Sequence, residues 1–252
     1  MEKFPIGIIG GTGGIGKWFA DFFMRQGYTV HVSGRSSGMA PDRMAGVCPI
    51  VIVSVPIKET CRVIETVGPH MPKDSLLADF TSLKVDPVKT MLDSSASEII
   101  GLHPLFGPGE ASLSGLNIVL CPVRGERWLP WLKTIFEKDG ARLIEAKPEE
   151  HDKMMALVQG LNHLDTALFG MTVKGSGIEM NKLLRFSTPI FNSRLDHIEK
   201  IFSNPRLYAA ILAFNPHLRK FIDMYQKNLS VLLGMIEEGD TESLEAILKC
   251  LQ

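Results

Sequence analysis

Three stretches of this chain hold residue types whose spacing points to chemistry. The first is Gly10-Gly11-Thr12-Gly13-Gly14-Ile15-Gly16, with G-x-G-x-x-G at Gly11, Gly13 and Gly16. In a loop of that kind Gly11 permits a tight turn, Gly13 lets the backbone approach a pyrophosphate, and Gly16 lets helix and strand pack closely. A helix opening there offers free N–H groups and a partial positive charge to phosphate oxygens. The second stretch is Ser33-Gly34-Arg35-Ser36-Ser37. An NAD site usually places Asp or Glu there to accept from the ribose 2′-hydroxyl, and this run has no acid. Arg35 can instead pair with a 2′-phosphate, and the serine hydroxyls can donate to it. NADP is the expected cofactor, with NAD as the alternative; a solvated turn carrying a surface arginine is the plain reading of the same residues. The third stretch is Gly101-Leu102-His103-Pro104-Leu105-Phe106-Gly107-Pro108. An imidazole titrates near pH 6.5 when unperturbed, so His103 can serve as acid or base. A core-edge histidine satisfied by backbone groups fits these residues equally well.

The elements that must position these groups follow a βαβ rhythm. Residues 5–9 form a short apolar run, as a buried parallel strand does. Beyond the glycine loop Trp18, Phe19, Phe22 and Phe23 recur at helical spacing, Gly27 stops the helix, and residues 28–32 alternate into a second strand. Strand, loop and helix in that order are the context a dinucleotide loop requires. Further strands are expected at 49–55, 75–80, 98–102, 116–120 and 142–144. Helices are expected at 58–67, 84–92 and 127–138, with a short one or none between the second and third strands. His103 then lies at the C-terminal edge of a doubly wound sheet, where such folds bind ligands. From residue 149 onward only helical periodicity is present. Met154, Leu157, Leu161, Leu164 and Leu168 make an apolar stripe expected to face a core, and Gln159, His163, Thr166 and Gly170 a polar or small stripe opposite it. Pro189, Pro205 and Pro216 sit at or near expected helix starts. The expected architecture is α/β: a Rossmann-type dinucleotide-binding domain over residues 1–147 and an all-helical domain over 148–252.

Composition narrows the partners. Apolar residues make up 45% and charged residues 22% of the 252, a balance that builds a packed core rather than a disordered chain. With 27 Lys and Arg against 28 Asp and Glu, no net field draws the chain to nucleic acid or a membrane, and the expected partner is a small-molecule substrate. Cys48, Cys61, Cys121 and Cys250 are widely spaced, as reduced thiols of a cytoplasmic protein are. No signal-like start and no membrane-length apolar run is apparent, and no metal site is expected.

The chain resembles the prephenate and arogenate dehydrogenase family over essentially its whole length. The resemblance is carried by residues 9–19 (IGGTGGIGKWF), 53–57 (VSVPI), 79–84 (DFTSLK), 101–108 (GLHPLFGP) and 150–155 (EHDKMM). It implies oxidative decarboxylation of prephenate on the route to tyrosine, with arogenate or an amino-substituted prephenate as the alternative substrate. By the same resemblance His103 accepts a hydrogen bond from the ring hydroxyl, and Ser82 orients His103 while also being placed to cap a helix. His163 matches a second histidine of the substrate pocket. A family arginine that grips the substrate carboxylate is replaced by Lys200, ahead of Asn204-Pro205, with Arg194 or Arg206 able to take over. Cofactor contacts are expected at Gly11, Thr12, Gly13, Gly14, Ile15, Gly16, Ser33, Arg35, Ser36, Val55 and Pro56. His151 reads as a surface or capping residue in the first turn of a helix. A homodimer built through the helical domain is implied.

Short-chain dehydrogenases share the glycine run, but no Y-x-x-x-K follows Tyr28, Tyr208 or Tyr225. Reductases that pair a deazaflavin with NADP share the opening and not the HPLFGP stretch. A non-catalytic NADP-sensing subunit would bind the dinucleotide without turnover. The cofactor expectation is directly testable. A charge-assisted hydrogen bond contributes about 1.5–3 kcal/mol, so Arg35→Ala should weaken NADP roughly 10- to 100-fold and leave NAD nearly untouched. Michaelis constants for both cofactors decide it, and equal weakening of the two would reduce Arg35 to a turn residue.

Overall fold

The computed structural model describes residues 3–251. Its first half is built from strands too apolar to have a wet face. β1 (Ile6–Ile9), β3 (Ile50–Val53) and β4 (Leu76–Asp79) are buried at every position. They are joined by β2 (Val30–Ser33), β5 (Glu98–Pro104), β6 (Asn117–Arg124) and β7 (Arg142–Glu145) in one sheet of order β2-β1-β3-β4-β5-β6-β7. Strands β1 to β5 are mutually parallel. β6 runs antiparallel to β5, and β7 is parallel to β6. An antiparallel neighbour needs no helical crossover. The connection from β5 to β6 accordingly carries no helix and is pinned by the Trp18 indole, which donates to the Glu110 carbonyl at 2.6 Å.

Side chains alternate across the sheet and divide the core in two. Ile50 and Ile52 pack with Trp18, Phe19, Phe22 and Phe23 of α1 (Gly14–Arg25) on one face. That face also takes Leu132, Ile135 and Phe136 of α5 (Trp128–Lys138). Val51 and Val53 face the other way, toward α2 (Pro41–Val47), α3 (Ile57–Val67) and α4 (Val85–Ser94). Both faces are covered by helices, so the expected doubly wound sheet is the one formed. The helix between β2 and β3 is present and short, opening on Pro41. A further helix, α6 (Pro148–Met155), follows β7.

By contacts the chain divides into two compact units: Met1–Met155 with Asn204–Ala213, and Ala156–Ser203 with Phe214–Gln252. The division falls after α6 rather than at the break in sequence pattern before it. The second unit starts with a π-helical segment, Ala156–Leu161, and contains α7 (Asn162–Gly175), α8 (Met180–Leu184) and α9 (Pro189–Phe202). After α10 (Pro205–Phe214) it continues with α11 (Leu218–Glu238) and α12 (Thr241–Lys249). Pro189 and Pro205 are the first residues of their helices, where the missing N–H is harmless. The apolar stripe expected to face a core does not: Met154, Leu157 and Leu168 are 47%, 42% and 41% exposed. The π segment closes its ladder five residues back rather than four and so rotates the helical face, which a single 3.6-residue period does not follow. Among the described residues no helix is long and apolar enough to cross a membrane, and all four cysteines are free.

Strand order reverses between β1 and β3, and the glycine loop sits there. Gly10 has φ +86°, and a Cβ on it would lie 2.0 Å from the Ser54 carbonyl oxygen. A Cβ on Gly16 would lie 2.4 Å from the Gly10 carbonyl oxygen, whereas one on Gly13 would meet nothing within 4 Å. Gly10→Ala should therefore destabilise the fold by roughly 1–3 kcal/mol through the left-handed backbone alone, with the clash adding to that. Gly13→Ala meets no atoms and loses only the N-cap preference for Gly over Ala, a cost of about 1 kcal/mol or less. Urea denaturation of the two variants tests the contrast, and equal losses would contradict it.

Candidate active site

The sheet's C-terminal edge carries two groupings of polar atoms. The first surrounds the glycine loop. A Cβ on Gly11 would press on Val32 at 2.7 Å, so Gly10, Gly11 and Gly16 close-pack β1 against β2, β3 and α1. Gly13 and Gly14 instead face open space. Gly13 caps α1 in an extended conformation, no side chain caps the helix, and its first turn has no acidic residue. The first-turn N–H groups are thus left for an anion, and the space beside Gly13 and Gly14 suits a pyrophosphate. Thr12 packs on Gly34, where a Cβ would lie 2.7 Å from its Oγ1. Arg35 and Ser36 are exposed in a turn closed by Gly34 N–H donating to the Ser37 carbonyl at 2.8 Å, while Ser33 is buried. Val55 lies against Gly10, and Pro56 precedes α3. The structure therefore gathers the expected cofactor residues at the reversal point, and they fit a dinucleotide. Arg206 lies in this unit too: the Glu59 carboxyl is held below its usual range by Arg62 first, with Arg206 and Arg35 contributing.

The second grouping is a buried network at the ends of β4 and β5. Lys84 has no solvent exposure; its ammonium donates to Asp79 Oδ2, also fully buried, and to the Leu102 carbonyl at 2.7 Å. The Thr81 N–H donates to the same Asp79 oxygen at 2.8 Å. Burying an ammonium is tolerable only with such a set of acceptors. The backbone N–H groups of Lys84 and Val85 donate to Asp152 Oδ1 at 2.7 Å and Oδ2 at 3.0 Å. Asp152 thus caps the start of α4 from α6. Its Oδ1 also lies 2.7 Å from His151 Nδ1, and His151 Nε2 lies 2.8 Å from His103 Nδ1. Burial, then the neighbouring His151 and Lys84, push the His103 pKa well below the ordinary histidine value. Burial lowers that of His151 as well, against the raising effect of its bond to Asp152.

Two expectations are corrected here. His151 is not a surface or capping residue: it is 2% exposed and bonded to His103. The buried residues of α6 are Pro148, His151, Asp152 and Met155. That is a helical face by spacing, and its polar members hid it from a search for apolar stripes. Ser82 neither caps α4 nor hydrogen-bonds to His103 among the described residues; it lies half-buried in the preceding bend. Asp152 takes the helix start, and His151 takes one of the two nitrogens of His103, Nδ1, so the cap expected of Ser82 is filled from α6.

In the second unit His163 lies half-buried on α7, and burial lowers its pKa. Arg194 on α9 donates to Asp165 Oδ2 at 2.7 Å and lies over the Phe169 ring at 4.1 Å. Tyr225 of α11 donates to Asp165 Oδ1 at 2.5 Å. Lys200, further along α9, is exposed.

The family profile described as prephenate dehydrogenase, nucleotide-binding domain, matches residues 38–145. That described as prephenate dehydrogenase, dimerization domain, matches residues 147–250. A Methanocaldococcus jannaschii protein named "Probable arogenate/prephenate dehydrogenase" is 34% identical over 264 residues, covering 97% of this chain and 59% of that protein. The T-protein of Enterobacter agglomerans is 31% identical over 246 residues, covering 97% of this chain and 66% of its own length. The chain thus spans 59% and 66% of the length of these two curated relatives. The crystal structure of prephenate dehydrogenase from A. aeolicus, in complex with hydroxyphenyl propionate and NAD+, shares the fold. Its TM-score is 0.75 at 20% identity, over 99% of this chain and 96% of that one. With both of its domains matched, the chain belongs to the prephenate dehydrogenase family.

Proposed function

We propose that this chain is a dehydrogenase that oxidises prephenate with loss of carbon dioxide, using NADP. The observation that carries the reading is His103: a buried imidazole, held neutral by its surroundings, on the same sheet edge as an anion-ready glycine loop. When bound, the nicotinamide ring accepts the hydride. His103 receives the proton of the substrate's ring hydroxyl as hydride leaves the carbon bearing that hydroxyl. The bond from the ring to its carboxylate then breaks, carbon dioxide departs, and the bonding pair enters the ring. Aromatisation makes the sequence irreversible, and the phenol oxygen takes its proton back from His103. Arogenate differs in an amino side chain, and turnover of both acids with both cofactors, followed by reduced-nicotinamide absorbance, separates the pairs.

NADP is favoured because Arg35 and Ser36 stand exposed in a turn that packs on Thr12 of the glycine loop and contains no acid. His163 remains assigned to substrate on family resemblance. Lys200 is the cation assigned to the substrate carboxylate, since the Arg194 guanidinium is already engaged by Asp165 and stacked on Phe169. A homodimer is proposed through the helical unit. On α11, Leu229, Leu233 and Ile236 are 49%, 46% and 61% exposed at helical spacing, a stripe suited to a second copy.

His103→Ala should lower kcat by roughly 10²–10⁴-fold, the usual range for an acid–base group, with cofactor affinity retained. The neutral imidazole is the working form. Activity is therefore present at high pH and falls as pH drops through the His103 pKa, and the acid limb should lie below the ordinary value of about 6.5. A normal kcat in the variant would sink the assignment. Lys200→Ala should raise KM for prephenate without weakening NADP, and Lys200→Arg should preserve binding. An unchanged KM would move the role to Arg194 or Arg206.

A further inference from the structure

The hydrogen bonds around His103 have a direction that can be read from one end. Asp152 accepts the backbone N–H groups of Lys84 and Val85, one on each oxygen, and Oδ1 also faces His151 Nδ1 at 2.7 Å. A carboxylate in that setting accepts, so the proton between them sits on His151 Nδ1. In a neutral imidazole one nitrogen carries the proton and the other the lone pair, so His151 Nε2 is an acceptor. His103 Nδ1, 2.8 Å away, must then be the donor. The lone pair of a neutral His103 is left on Nε2.

We propose that His151, anchored by Asp152, is a positioning residue that holds His103 in its Nδ1–H tautomer and so makes Nε2 the nitrogen that accepts the substrate proton. The inference rests on the reading of His103 as the acid–base group. It also assigns a role to the E-H-D run of the sequence. As the proton arrives on Nε2, the His103 Nδ1–H bond to His151 strengthens, and Asp152 lies at the far end of that line to offset the charge. Charged and titratable groups of the described residues near this line include Lys84 before α4, Asp79 at the end of β4 and Cys121 on β6, the last with Glu149 of α6 also acting on it. Burial pushes the Cys121 thiol up to about 12, so it stays neutral. Lys84 opposes protonation of both imidazoles, and Asp79 and Asp152 favour that of His151.

Steady-state kinetics of the full chain with prephenate and NADP, above the acid limb, test this. His151→Leu should lower kcat by roughly 10²-fold, the scale of losing a correctly set base, with KM for both reactants within about threefold. His151→Gln should recover most of the loss, because its amide oxygen can accept from His103 while its nitrogen donates to Asp152. A fully active His151→Leu, or equal losses in the two variants, overturns the positioning role. His103→Ala separates the two readings. If it is inactive while His151→Leu is normal, only the positioning role fails; if it is active, the acid–base reading itself fails. Ring-nitrogen NMR of the unsubstituted protein determines the tautomer directly, whether or not a variant folds. The expected pattern is a protonated Nδ1 and an unprotonated Nε2 on His103, and the reverse overturns the proposal.

Discussion

An ammonium sealed from water must have its hydrogens accepted by protein atoms, and Lys84 satisfies that demand by tying together the ends of β4 and β5. It donates to Asp79 at the end of one strand and to the Leu102 carbonyl on the other. Its aliphatic stem crosses Gly101, where a Cβ would lie 3.0 Å from Lys84 Cδ and 2.9 Å from Val88. A larger residue before Leu102 would therefore displace the lysine. Its own backbone N–H is accepted by Asp152, which fixes α6 against the start of α4. Removing one partner of such a pair leaves an uncompensated buried charge, at a cost of about 3–5 kcal/mol. The D-x-x-S-x-K and G-L-H-P stretches are thus one packing unit, and α6 brings His151 to His103 because Asp152 is held there.

Much of the first unit was legible in the sequence because its signals are local. The apolar runs ending at Ile9, Val53 and Asp79 became strands buried on both faces. The glycine loop met its required context between β1 and α1. His103, expected at the C-terminal edge of the sheet, lies on β5 one residue before its end, the strand running two residues further than the expected 98–102. The antiparallel direction of β6 was not legible, since its apolar run, residues 118–121, reads the same in either direction. His151 was missed for a different reason. Periodicity searches look for apolar faces, and the buried face of α6 carries two polar residues that satisfy each other.

The second unit resisted reading where its helix departs from a single period. The π segment at Ala156–Leu161 separates the face that buries Met155 from the one that follows, so a stripe drawn through Met154 and Leu168 mixes two faces. Gly160 is buried against Leu218 of α11, where a Cβ would approach to 2.8 Å. That close approach is set by the partner helix and has no counterpart in the local pattern. Arg194 illustrates the same point. Its charge is visible in sequence, whereas its engagement by Asp165, which Tyr225 shares, depends on three helices meeting.

The chemistry proposed for His103 asks for a base that is free of its proton at rest and not trapped by it afterwards. A fully exposed histidine titrates near neutrality and would be partly blocked, while one paired directly with a carboxylate would hold its proton too firmly to be a ready acceptor. Burial beside the Lys84 ammonium removes the first difficulty by disfavouring the imidazolium. Interposing His151 eases the second, since a neutral His151 ring rather than the Asp152 carboxylate meets His103 Nδ1. A proton that is borrowed from a hydroxyl and returned to the same oxygen needs an acceptor of that intermediate kind. The buried line from Asp152 through His151 to His103, set beside Lys84, is an arrangement of charges that supplies one.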